Sequence, residues 1–235
     1  MKTVLAWLLI CIAATVAIAA DIPSAPIDLT LQWTLSVDAD GKLTALKPVD
    51  DTNADLHRRL EPEVRKWRFG AAKINGVATP ADTTLTVHVT LKPVDDGYHI
   101  DLRNAETGVG YGTMTAPKYP EGALMSHRGG AVLVRIDYDA DGRVTQAQAV
   151  EGGLPKPGGD IERAAVSAVK RWTFRPESIG GHGRPGSAMV PVCFSVDARP
   201  TRCRFTDPAS KREISDGAML AVDPLVQLQM PPRAP

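Results

Sequence analysis

The feature that most constrains this chain is an internal repeat. Asp38-Ala39-Asp40-Gly41-Lys42-Leu43-Thr44 lies over Asp139-Ala140-Asp141-Gly142-Arg143-Val144-Thr145 at an offset of 101 residues. Trp67-Arg68-Phe69 lies over Trp172-Thr173-Phe174 at an offset of 105. That second offset then persists. Ile74 meets Ile179, Gly76 meets Gly181, and Leu85, Val87, Val89 and Leu91 meet Val190, Val192, Phe194 and Val196. The difference of four residues falls between turn and helix, around Gly152-Gly153-Leu154-Pro155. A fixed offset through three kinds of element points to two copies of one small unit.

Each copy reads strand, turn, strand, helix, strand. Leu29, Leu31, Trp33, Leu35 and Val37 alternate with polar residues, the period of a strand with one buried face. Asp38 to Gly41 suits a tight hairpin turn. Leu56, Leu60, Val64 and Trp67 fall on one helical face. Pro62 lies within it and predicts a kink, or a helix that starts anew there, because proline removes a hydrogen bond. The second copy repeats the face as Ile161, Ala165, Val169 and Trp172, with Asp160 as the expected N-cap. So short a helix must lie across its own strands to bury the indole. The expected fold is α+β: two tandem units, each a small antiparallel sheet with a helix packed on one face. Trp67, Phe69, Trp172 and Phe174 are expected core anchors.

Charge excludes one class of function. The 235 residues carry 27 basic and 27 acidic side chains with no basic block, so a nucleic-acid partner has no electrostatic footprint. The first twenty residues read as a secretory signal: Lys2, an apolar run from Val4 to Val16, then Ala17-Ile18-Ala19. The rival reading is an uncleaved inner-membrane anchor, for which Val4 to Ala20 is short. Export would leave Cys193 and Cys203 as a pair, read as a disulfide, with two separate buried thiols as the alternative.

The second copy resembles a known family. Pro117-Lys118-Tyr119-Pro120 with Ala123, then Gly130-Ala131-Val132-Leu133-Val134, then Asp141-Gly142-Arg143-Val144, then Ala168-Val169-Lys170-Arg171-Trp172-Thr173-Phe174-Arg175-Pro176 resembles the TonB C-terminal domain. The first copy lacks the Tyr-Pro helix and has Ala71 in place of the proline, so it resembles a degenerate unit. The resemblance implies that Tyr119 and Pro120 belong to the structural core. It implies a periplasmic module whose partner is a protein: an outer-membrane TonB-dependent receptor or an inner-membrane transport complex. The partner segment would add to a sheet edge, expected at Val190, Val192, Phe194 and Val196. A Cys193–Cys203 bond would fold Thr201 to Phe205 back along that strand and cover it.

The expected boundaries are 1–20 signal, 21–95 degenerate TonB-like domain, 96–115 linker hairpin, 116–206 TonB C-terminal-like domain and 207–235 irregular tail. No catalytic, cofactor or metal residues are expected, and no small-molecule substrate. Asp139-x-Asp141-Gly142 opens like a calcium loop, but Val150 stands where the bidentate Glu belongs. The five histidines form no cluster, and His88 is expected on the exposed face of its strand. No Gly-x-Ser-x-Gly elbow or phosphate loop occurs. Two further readings stay open: a membrane-anchored energy transducer with an uncleaved N-terminus, and a structural protein of the cell envelope.

Overall fold

A computed structural model describes residues 25–151, 157–196, 205–206, 213–214 and 218–229. The expected signal, Cys203 and the 201–204 segment lie outside them. The first half runs β1 (Ile27–Val37), β2 (Leu43–Pro48), α1 (Ala54–Val64), β3 (Arg68–Gly70), β4 (Ala72–Ile74), β5 (Val77–Thr79), β6 (Ala81–Val94) and β7 (Gly97–Gly108). β8 (Gly110–Tyr111) and α2 (Glu121–Met125) lead to the second half. That half holds β9 (Gly130–Tyr138), β10 (Val144–Val150), α3 (Gly159–Val169), β11 (Phe174–Arg175), β12 (Ser178–Ile179), β13 (His182–Gly183) and β14 (Gly186–Phe194). β15 (Phe205–Thr206), β16 (Glu213–Ile214), β17 (Leu220–Ala221) and β18 (Gln227–Gln229) follow.

The two halves share register. Leu35 faces Leu46 on β2 and Thr83 on β6. Ile136 faces Ala147 on β10 and Ala188 on β14. These are equivalent positions under the sequence offsets. Both hairpins close alike: the Asp38 carboxylate accepts the N–H groups of Asp40 and Lys42, and that of Asp139 those of Asp141 and Arg143. α1 and α3 are each 11 residues long. Trp67 and Trp172 are 2% and 8% exposed. Trp67 packs with Trp33, Leu35, Leu85 and Val64 in one core, and Trp172 with Ile136, Ile161, Val169 and Val190 in another.

Several expectations change. α1 runs through Pro62, which lies in its last turn, where few later residues depend on the lost bond. Asp160 is not the N-cap: Gly158 is, and Asp160 binds Arg128 at 2.7 Å while taking the Ile161 N–H. Residues 72–79 form the β4–β5 hairpin, from Ala72↔Thr79 to Ile74↔Val77. The 96–115 linker holds β7, which pairs with β6 from Val94↔Gly97 to Thr84↔Gly108 and so belongs to the first sheet. His88 is 6% exposed, because β6 lies between β1 and β7 and its Thr-rich face is shielded by both.

The tail is ordered where it is described. β17 pairs with β14 in the second half, and β18 pairs with β3 in the first. Val226 between them is fully buried in the first core. Leu220 and Ala218 join Phe205, Leu133 and Met189 on the face of the second sheet opposite α3.

Candidate protein-binding edge

The second sheet has the order β10-β9-β14-β17. β14 is Gly-Ser-Ala-Met-Val-Pro-Val-Cys-Phe, and its β-branched positions favour a pleated, half-buried strand. Val190, Val192 and Phe194 are 0%, 3% and 2% exposed and point into the core under α3. The Phe194 ring meets Tyr119 edge-on at 5.4 Å. Tyr119 hydroxyl donates to the Arg128 carbonyl at 2.7 Å, and burial pushes its phenol above the usual range. Pro120 is the N-cap of α2.

Backbone groups in an antiparallel ladder alternate in direction, residue by residue. The Val222 N–H donates to the Ser187 carbonyl at 3.0 Å, so Ser187 faces outward, away from β9. Met189, Pro191 and Cys193 share that parity. Pro191 has no N–H to give, and it occupies an outward position, where a proline spares the β9 ladder. The outward-facing backbone groups are therefore those of Ser187, Met189, Pro191 and Cys193, while those of Val190, Val192 and Phe194 face β9. Val196 is not in the strand, which ends at Phe194. One signal could have found this: Pro191 in a central run marks which residues face out.

β17 covers this edge at Ala188 and Met189. Among the described residues the strand on this edge is Leu220–Ala221; residues 201–204, expected to cover it, lie outside them. Cys193 is exposed and disulfide-bonded, and its partner lies outside the described residues.

A carboxylate fixes the tail. Glu177, 4% exposed, accepts the N–H groups of Leu225 at 2.7 Å and Val226 at 3.2 Å. Burial raises its pKa, while these bonds and one with Thr83 oppose the rise. Thr107 hydroxyl donates to the Val226 carbonyl.

A second polar group lies on the far face of the first sheet. His88 Nε2 is 3.6 Å from Glu106 Oε1, and His88 Nδ1 is 3.1 Å from Thr30 Oγ1. Gln32 amide donates to Thr86 hydroxyl at 3.1 Å. Burial drives the nearby Tyr111 phenol up, with Glu106 adding to the effect. Among the described residues no three of His, Cys, Asp and Glu converge as metal ligands. No helix among them is long and apolar enough to cross a membrane.

Residues 115–196 match the family described as Gram-negative bacterial TonB protein C-terminal. Proteins of that family are non-enzymatic and work through protein contacts and energy transduction. Protein TonB of Xanthomonas campestris pv. campestris (strain B100) is 32% identical over 84 residues, 36% of this chain and 36% of that protein. Protein tonB2 of Pseudomonas aeruginosa is 36% identical over 90 residues, 37% of this chain and 32% of that protein. The chain spans about a third of the length of these curated relatives. A solution structure of the Pseudomonas aeruginosa TonB C-terminal domain aligns with 39% of this chain and 89% of its own, at 26% identity and a TM-score of 0.33.

Proposed function

We propose that this chain is a periplasmic TonB-like protein of two tandem units, the first degenerate, that serves TonB-dependent outer-membrane transport by binding an extended partner segment at β14. Shared register, equal helix lengths and matching turn chemistry support the tandem reading. The partner is an outer-membrane TonB-dependent receptor segment. Cys193 and Cys203 are the disulfide pair, and an N-terminal signal directs export.

One observation carries the binding mode: β17 occupies β14 through only two residue pairs. Beyond Met189 the next outward residue is Pro191, which cannot donate. A partner strand confined to the uncovered part would lose a rung of the ladder. It binds best by replacing β17 and taking the Ser187 and Met189 groups, with backbone bonds supplying affinity.

The test is a titration of isotope-labelled full-length protein with a peptide from the N-terminal segment of an outer-membrane receptor. Amide resonances of Ser187, Met189, Leu220 and Ala221 should shift together as β17 leaves. Binding that leaves all four unmoved would refute strand replacement.

A further inference from the structure

With β14 covered at one side of the second sheet, the other side is β10. Its sequence, Val-Thr-Gln-Ala-Gln-Ala-Val, has no charge and no proline. Edge strands are ordinarily blunted by such residues, because an open ladder recruits other chains. The equivalent strand of the first half shows the blunting: β2 ends in Lys47-Pro48. The same ladder alternation that turns Ser187 and Met189 outward turns Asp137 and Arg135 toward β10, where they pair with Gln146 and Gln148. Ala147 and Ala149 therefore present their N–H and C=O groups away from β9. Their counterparts in the first half are Leu46 and Pro48, and Pro48 has no N–H. Among the described residues, no strand pairs with β10 on that side.

A groove of about 620 Å³ lies along this edge, between Ala149 and the outer stripe of α3. Val166 supplies its apolar wall. Arg163, Lys170 and Arg171 line it against a single acid, Glu162. The Arg171 guanidinium is steadied by bonds to the Ser167 carbonyl and hydroxyl at 2.6 and 3.0 Å.

We infer that β10 is a second strand-addition site, fitted to an extended acidic segment of another protein. The segment's backbone pairs with Ala147 and Ala149. Alternate side chains then fall on the α3 face, where apolar ones meet Val166 and carboxylates meet Arg163, Lys170 and Arg171. Side-chain alternation makes one strand able to satisfy both. The site uses the opposite side of the sheet from β14, so its failure leaves the β14 reading standing, and the reverse.

The test uses full-length protein and a short capped peptide of alternating valine and glutamate, with a valine–lysine peptide as control. The acidic peptide should shift the Ala147 and Ala149 amides and leave Ser187 and Met189 unmoved. Ala149→Pro should abolish that binding without loss of thermal stability, because it deletes an outward N–H that β9 does not use. The double variant R163E/K170E should weaken the acidic peptide about tenfold or more and favour the lysine peptide. Three results overturn the inference: equal affinity for both peptides, indifference to R163E/K170E, or self-association through β10 that the acidic peptide does not disrupt.

Discussion

Gly41 and Gly142 occupy the same step of the two hairpins, each with φ of 78°. A Cβ at either would stand 2.1 or 2.0 Å from the carbonyl oxygen of Phe69 or Phe174. The turn and the Trp-x-Phe segment are thus in backbone contact, which is why both motifs recur together. Gly142→Ala should cost about 2 kcal/mol or more, from clash and left-handed strain combined, read as a fall in thermal midpoint. Glu177 makes a separate prediction about pH. Burial raises its folded-state pKa above the ordinary 4.5, so the folded state holds the proton more tightly than the unfolded chain. Stability from this group is therefore greatest below 4.5 and falls as pH rises through the raised value. His57 has the opposite sign: burial lowers its pKa from 6.5, so stability is lost as pH falls through the lowered value. The measurement that isolates Glu177 is the difference in midpoint between wild type and Glu177→Gln across acidic to neutral pH. That difference should change with pH in the direction of a relatively more stable wild type at low pH. Asp160, held to about 2 by Arg128, acts only in more acidic solution, where its contribution disappears as pH falls from 3.8.

The elements show how far sequence reasoning reaches. α1 and α3, both first hairpins and the closing strands were legible because each carries a local period or a turn residue with its own backbone demand. Trp67 and Trp172 were legible as anchors because the helical spacing puts them on the apolar face. His57 was not: it is 4% exposed and lies edge-on to Trp33 at 4.5 Å, a contact between helix and strand that no local pattern encodes. The same holds for β7, whose polar run Asp101 to Glu106 hides a full strand held by β6. The partner edge was read from side-chain pattern, whereas recognition depends on which backbone groups face outward, a property of register. The tail was read as irregular because its strands have two and three residues and take their order from what they pair with. Val226 is the residue that fixes it. Val226→Asp would bury a charge in an apolar core and should cost about 3 kcal/mol locally. Hydrogen exchange should then speed up at Val222 and at Met189 together, while Gln148, whose N–H faces β9, stays protected to its former degree. Unchanged exchange at Met189 would mean that β17 stays in place without its Val226 anchor.

At the scale of the molecule, the question is whether the halves unfold as one. Several links join them among the described residues. β8 continues the first half and pairs with β11, Tyr111 facing Phe174. Ser178 of β12 pairs with Asp82 of β6, and its hydroxyl bonds the Asp82 carboxylate at 3.0 Å. Glu177 holds the tail at Leu225 and Val226. β18 then adds to β3, so a segment that starts on the second sheet ends in the first core. The β12–β6 and Glu177 links are small and polar, and each taken alone contributes on the order of 1 kcal/mol, whereas β8–β11 also sets the Tyr111 ring against Trp172 and Phe174. The tail also commits apolar surface to both halves: Val226 is fully buried in the first core, while Leu220 covers the second sheet. Unfolding either half therefore exposes apolar surface in both. Calorimetry of the wild type should give a single transition with calorimetric and van't Hoff enthalpies in agreement. Glu177→Ala removes the acceptor from two buried N–H groups and should split that transition in two, the first half melting earlier because it loses the tail's contribution to its core. A single transition in the variant, shifted but undivided, would show that β8–β11 and β12–β6 suffice to couple the halves.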